Sequence, residues 1–314
     1  MKFTVGIPAY KAKFLKECID SVLCQTYSDF ELVIVNDASP ENIDDIISSY
    51  DNSSIRYYKN EKNIGSAMVV QNWNRCLDYA EGTYFILLGD DDKMTPEYLE
   101  EFSNLIGKYP DCNVYHCRSI IMNEEAVPLR LTEPRPEFER VYDSILERMR
   151  GHRFFFISDY VFHTQHLKSN GGFYALPLAW ASDDITSYIA SEKGGIAHTN
   201  RPVFMYRQSR FTISTTGDVF LKMEAILGEE KWLKAFLNKD VEGFRDRLLR
   251  DNIKLDLKKF IQKKKIRTIY SSVENLVTGF VKWFPVRKKY GFTAIELLYA
   301  LLLSIKEKAK RSYE

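Results

Sequence analysis

Four short apolar runs in the first ninety residues, Phe3–Pro8, Glu31–Asn36, Ser54–Lys59 and Tyr84–Leu88, are separated by stretches of helical periodicity. This alternation constrains the fold most, because strands alternating with helices pair in parallel and have both faces covered. It predicts a β-α-β-α-β-α-β series and excludes a sandwich or a helical bundle. Phe14, Leu15, Cys18, Ile19, Val22 and Leu23 recur at helical spacing. A second helix is expected after Pro40 and a third over Ser66–Ala80, with Val69, Trp73, Leu77 and Ala80 inward. Open α/β sheets bind ligands where loops leave the carboxyl ends of strands. Three such ends carry turn-forming or acidic residues: Pro8-Ala9-Tyr10, Asn36-Asp37-Ala38-Ser39 and Gly89-Asp90-Asp91-Asp92.

Beyond residue 110 the pattern changes. Longer strands are expected over Asn113–Met122 and Phe154–His163, with a charged, proline-bearing stretch from Glu124 to Glu139 between them, so the central sheet should be mixed. From about residue 220 the chain reads as helical and lysine-rich, which divides it into a catalytic domain over 1–218 and a basic helical region over 219–314. Ile266, Tyr270, Val273, Val277, Phe280, Val281 and Phe284 fit one helical face ended by Pro285. Residues 292–305, FTAIELLYALLLSI, form a further helix with a narrow polar sector.

The 314 residues carry 44 basic and 43 acidic side chains, so the global basic excess of a nucleic-acid binder is absent. The charges are unevenly spread, however: residues 220–314 hold 22 Lys and Arg against 12 Asp and Glu. Two readings of this tail stay open. Its apolar faces pack on the catalytic domain or on a second copy of the chain, or residues 266–311 rest at an anionic membrane interface. The longest apolar region, around Leu297–Leu303, falls well short of the roughly 20 residues a spanning helix needs. Five cysteines without a CxxC pair, and an opening MKFTVGIPAY that does not read as a secretory leader, point to a cytoplasmic setting. The inner face of the membrane stays open as the finer location.

Asp90, Asp91 and Asp92 at one strand end repel one another unless a cation or solvent offsets them. A hard divalent ion that takes part of its shell from substrate phosphates suits so short a cluster, and a solvated turn is the plainer alternative. Asp37 either caps the next helix or accepts hydrogen bonds from a nucleoside. Asp183 and Asp184 precede another helical pattern, where one of them caps the helix and the other is available as a general base. The five histidines show no ligand spacing, and GIPAYKAK in place of GxGxxG argues against a dinucleotide oxidoreductase.

The segments VGIPAYKAKFLKECIDSVLCQTYSDFELVIVNDASPEN and NIGSAMVVQNWNRCLDYAEGTYFILLGDDD, followed by SDD at 182–184 and YR at 206–207, occur in an order that resembles the family 2 glycosyltransferases. These are inverting nucleotide-sugar enzymes with a GT-A type fold, and the resemblance covers about residues 1–215. It implies a mixed α/β sheet flanked by helices. Pro8, Ala9, Tyr10, Asp37 and Asn74 would surround the donor. Asp90 or Asp91 would face the ribose, Asp91 or Asp92 would hold manganese or magnesium, and Arg207 would contact the diphosphate. Asp183 would be the catalytic base, with Asp184 as the fallback. Gly171-Gly172-Phe173 and Leu178–Trp180 would shape the acceptor pocket. Trp73 stands where the family has Arg, Gly89 where it has Asp, and Gln208-Ser209 where relatives often have His.

The activity implied is metal-dependent transfer of a sugar, favouring a UDP-sugar, to a carbohydrate hydroxyl of a glycan or lipid-linked glycan in surface polysaccharide synthesis. A protein of this fold that binds the sugar nucleotide without turnover is the alternative.

Overall fold

In the computed structural model, which describes residues 2–209 and 217–311, strand β1 (Phe3–Ala9) pairs in parallel with β2 (Phe30–Asn36) and β4 (Tyr84–Leu87). Strand β2 pairs in parallel with β3 (Ile55–Lys59). β1 and β2 read as near-continuous apolar runs because helices cover both faces of this half of the sheet. Leu15, Cys18, Ile19 and Val22 of α1 (Leu15–Leu23) and Leu99 and Phe102 of α4 (Tyr98–Lys108) pack on one face. Val70, Cys76 and Leu77 of α3 (Val69–Asp78) pack on the other, against Val33, Val35 and Phe85. Helix α2 (Ile43–Ser48) follows Pro40, as expected.

The second half adds β5 (Lys93–Met94), β6 (Val114–Met122), β9 (Tyr160–His163) and β10 (Ile196–Arg207), giving the order β3-β2-β1-β4-β9-β6-β10-β5. β9 runs antiparallel to both β4 and β6, and β10 parallel to β6, so the sheet is mixed. Two short strands unforeseen from the sequence, β7 (Pro128–Leu131) and β8 (Phe138–Glu139), arise inside the charged stretch and pair with β6 and β10. The strand expected over Phe154–His163 is shorter than its apolar pattern. Residues 157–159 form a 3-10 turn, because the Asp159 carboxylate accepts from the Phe156 N–H and the Ser119 hydroxyl, a local alternative to the ladder.

Helices α5 (Val141–Arg150), α6 (Thr164–Ser169) and α7 (Ser182–Ser191) complete this part. The chain then continues into α8 (Val219–Leu237), α9 (Phe244–Ser271), α10 (Leu276–Trp283) and α11 (Ala294–Arg311). Met223, Ile226 and Phe236 of α8 and Ile253, Leu257 and Ile261 of α9 share one core with Tyr142, Ile145 and Leu146 of α5 and Tyr188 of α7. The continuous apolar face expected over 266–284 is interrupted. Helix α9 ends at Ser271, Val273 turns inward, and the Asn275 side chain accepts from the Thr278 N–H to start α10 afresh. Rotated by this break, Val277 and Val281 face solvent while Gly279 and Trp283 are buried.

Candidate active site

The parallel order β2-β1-β4 sets the three marked strand ends side by side. The Asp37 N–H donates to Ala9 O at 2.9 Å, and the Ser39 hydroxyl donates to Tyr10 O at 2.5 Å. Asp90 reaches back across the sheet edge, where its Oδ2 accepts from the Tyr10 and Lys11 N–H groups at 2.8 Å each. Pro8 and Ala9 thus form the floor of a shared loop cluster, and the Tyr10 ring stands exposed at its rim. Asp37 is buried, and its carboxylate gathers the next loop by accepting from the Asn60 and Asn63 side chains and the Ile64 N–H.

The three consecutive carboxylates divide into two buried and one partly buried. Burial, with the Asp91 charge next, pushes Asp90 up to about 6 and holds Asp92 well above the ordinary carboxylate range. Asp92 Oδ1 accepts from the Arg207 N–H at 2.8 Å, and its Oδ2 accepts from the Ser158 hydroxyl at 3.4 Å. Asp91 is the least buried of the three, and its Oδ2 lies 3.6 Å from Lys11 Nζ. Gly89 lies close to the Asp92 carboxylate: a Cβ there would sit 2.8 Å from Asp92 Oδ2, so a side chain at this place would displace Asp92.

Arg207 is buried beneath the cluster. Its Nε donates to Asp91 O at 2.7 Å, Nη1 to Glu124 O, and Nη2 to Glu17 Oε2 at 2.9 Å, while the guanidinium lies 4.1 Å from the Phe14 ring centroid. In this arrangement it braces the acidic loop from below.

No group of three or more His, Cys, Asp or Glu side chains converges on a common point among the described residues. The donor chemistry still fits a hard divalent cation. Three clustered carboxylates face one nearby ammonium, Asp91 is the least buried of them, and an ion completed by diphosphate oxygens and water needs only one or two protein ligands. Asp91 and Asp92 would hold it.

Asp183 and Asp184 open α7. The Arg148 guanidinium, from α5, clasps Asp184 through Nε at 3.1 Å and Nη2 at 3.2 Å, and this carboxylate is buried. Asp183 is partly exposed, and its Oδ1 accepts from the Asp184 N–H at 2.9 Å. Burial first, then the Asp184 charge, pushes it up to about 7, while Arg148 and Lys264 pull the other way. The preceding loop is strained: Leu178, Ala179 and Ala181 hold φ of 58°, 53° and 68°, a region that side chains other than glycine seldom occupy. Trp180 packs partly against the helical region with Lys222 Nζ 5.1 Å from its ring centroid. Asn74 accepts from the Phe173 N–H at 2.8 Å and donates to Phe173 O at 3.3 Å, fastening α3 to the 171–173 turn.

Four positioning residues, Lys11, Asn60, Arg148 and Ser158, carry no motif that sequence reasoning could seize. Lys11 falls within the GIPAYKAK segment but nothing there singles it out, and each of the four acquires its partner only through the tertiary fold.

Residues 4–164 match the model for glycosyl transferase family 2. The chain belongs to this family. Its mixed sheet with flanking helices is of GT-A type. The glycosyltransferase GlyA of Streptococcus pneumoniae is 27% identical over 250 residues, which cover 78% of this chain and 31% of that one. The teichoic acid poly(glycerol phosphate) polymerase of Staphylococcus epidermidis is 33% identical over 115 residues, 34% of this chain and 15% of that one. This chain therefore spans less than half the length of the curated relatives it matches.

Among solved structures, S. aureus TarS residues 1–349 with UDP-GlcNAc has a TM-score of 0.65 at 18% identity, covering 100% of this chain and 93% of that one. A mannosyltransferase from Pyrobaculum calidifontis, in complex with GDP-Man and Mn2+, has a TM-score of 0.56 at 15% identity over 98% and 87%. These likenesses extend the shared fold through the helical region.

Proposed function

We propose that this chain moves a sugar from a nucleotide diphosphate donor, a UDP-sugar by preference, to a carbohydrate hydroxyl with inversion at the anomeric carbon. The observation that carries this reading is the division of labour at the start of α7. Arg148 neutralises Asp184, and the partly open Asp183 is left with a carboxyl poised near neutrality, as a general base requires.

Asp183 takes the proton of the acceptor hydroxyl as that oxygen attacks the anomeric carbon from the face opposite the diphosphate. The carbon–oxygen bond to the diphosphate breaks and the diphosphate departs with the electron pair, in one displacement. A divalent cation, when bound, supplies charge neutralisation for that leaving group. Asp91 and Asp92 would hold the ion, and Arg207 keeps the acidic loop in shape from beneath. Asp37, with the Asn60–Ile64 loop it gathers, and the Tyr10 rim form the nucleoside end.

Support for uridine comes from the TarS complex with UDP-GlcNAc, and for the cation from the manganese-bound mannosyltransferase. The acceptor we propose is a surface glycan or lipid-linked glycan, in keeping with a relative named for teichoic acid. A reducing cytoplasm suits the five cysteines, all of them unpaired.

The test is a donor screen with the full chain, Mn2+, a panel of nucleotide sugars and soluble acceptors, reading released nucleoside diphosphate. A strict preference for one UDP-sugar, abolished by chelator, is expected. Tight UDP binding with no release from any donor would instead make the chain a sugar-nucleotide-binding protein without turnover.

A further inference from the structure

Helix α11 carries two apolar stripes, and the fold uses only one. Leu297, Ala300 and Leu301 face inward and are buried, closed by Ser304. Ile295, Leu298, Tyr299, Leu302 and Ile305 recur at helical spacing on another side and remain between 48% and 81% exposed. Neighbouring α10 packs on α11 through Gly279, where a Cβ would meet Leu301 Cδ2 at 2.8 Å. It leaves Leu276, Val277, Phe280 and Val281 uncovered as well. Scattered exposed apolar residues are ordinary, but nine large ones within thirty residues of one helical pair are not.

The same segment is strongly basic: residues 276–311 hold eight Lys and Arg against two Glu. Among the described residues, Lys288 and Lys306 have no carboxylate within 4.0 Å, while Lys282, also without one, lies over the Phe220 and Trp283 rings. Lys288 also lines a groove of about 490 Å3 with Lys254 and Lys258 of α9, where Lys265 is paired with Glu230.

We propose that the outer surface of α10 and α11 docks on an anionic lipid bilayer, with the apolar stripes entering the acyl boundary and the lysines meeting lipid phosphates. Charge decides between this occupant and a second copy of the chain. A symmetric dimer through this face would oppose one basic surface with another, whereas an anionic bilayer satisfies both its apolar and its cationic parts. No described helix is long and apolar enough to cross a membrane, so the contact is one of lying on the surface. The inference is independent of the transfer chemistry, since its readout needs no turnover.

The experiment is co-sedimentation of the full chain with vesicles of phosphatidylcholine, with and without phosphatidylglycerol. Binding to the anionic vesicles is expected, weakening with added salt and about tenfold poorer on neutral ones. Leu298→Glu with Leu302→Glu should reduce partitioning about tenfold or more while leaving the melting temperature unchanged, because both side chains are already in water. Lys288→Ser and Lys306→Ser should each weaken it about fivefold. Vesicle binding indifferent to all four substitutions would overturn the proposal. So would a concentration-dependent dimer, seen by light scattering and dissolved by the Leu298/Leu302 variant, which would assign the surface to a second copy.

Discussion

At the scale of single residues, adjacent Asp183 and Asp184 acquire opposite characters from what faces them. Asp184 is buried against a cation, and Asp183 is left beside a negative neighbour with its proton held up to about 7. The Asp183→Asn variant should lose about a thousandfold in kcat, with donor KM little changed, if the carboxylate acts only as base. In the wild type, kcat/KM should rise as pH rises through about 7, because the base works only when unprotonated.

Stability should run the other way. The folded carboxyl keeps its proton where the unfolded chain has released it. Its contribution is therefore complete below the ordinary Asp range and disappears as pH rises through about 7. Asp183→Asn should accordingly melt higher than wild type at about pH 8, with the gap closing in mild acid. Paired activity and calorimetric pH series check both signs. An activity profile flat between pH 5 and pH 9, roughly, would remove Asp183 from the mechanism.

Between elements, the site depends on a few close approaches. Gly89→Ala puts a methyl group 2.8 Å from Asp92 Oδ2, and the acidic loop must shift to admit it. Donor and Mn2+ affinity, read by calorimetric titration, should fall about tenfold with little change in melting temperature, because the displaced group is a loop carboxylate rather than core. Arg148→Met should be far more damaging to stability. It strands Asp184 as a buried, unpaired charge, a loss of about 3 kcal/mol, and adding Asp184→Asn should restore most of it. Denaturant melts of the two single variants and the double give that cycle directly.

This scale also separates what the sequence discloses from what it hides. The first four strands were legible because each apolar run is buried on both faces and stops at a turn residue. Asp37 and the acidic trio were legible because strand ends of such sheets carry the ligands, and the 183–184 pair because two carboxylates stand together just before a helical pattern. Arg148 was not, since a helical arginine has many possible partners and only the packing of α5 on α7 selects one. The 3-10 turn at 157–159 was hidden for a related reason: the Asp159 interactions that displace the strand come partly from Ser119, forty residues away. Along α3 the pattern suggested Val69, Trp73, Leu77 and Ala80 as inward residues; Leu77 and Ala80 are buried, as are Val70 and Cys76, but Trp73 sits half-covered, edge-on to Phe173.

For the molecule as a whole, the composition shift near residue 220 reads as a boundary, but the core ignores it. Tyr142, Ile145 and Leu146 lie on α5 of the front half and pack with Ile226, Phe236 and Ile261 of the tail. Lys264 of α9 also pairs with the buried Glu229 of α8, at 2.6 Å to Oε1, close enough to Asp183 for its charge to act there. The helical region therefore supports the candidate base rather than hanging from it, and unfolding of the two parts should be coupled.

Leu297 and Leu298 test this. Leu297 is fully buried in the shared core, whereas Leu298, the next residue on α11, faces outward. Leu297→Ala should destabilise by about 3 kcal/mol, and Leu298→Ala by no more than about 0.5 kcal/mol. Because the core is common, Leu297→Ala should lower the melting of helix α11 and of the nucleotide site together. One cooperative transition should appear whether it is followed by far-ultraviolet dichroism or by release of bound UDP. Two transitions, with only the dichroism signal moved by Leu297→Ala, would mean that the tail folds as an appendage and that the charge of Lys264 reaches Asp183 without structural support.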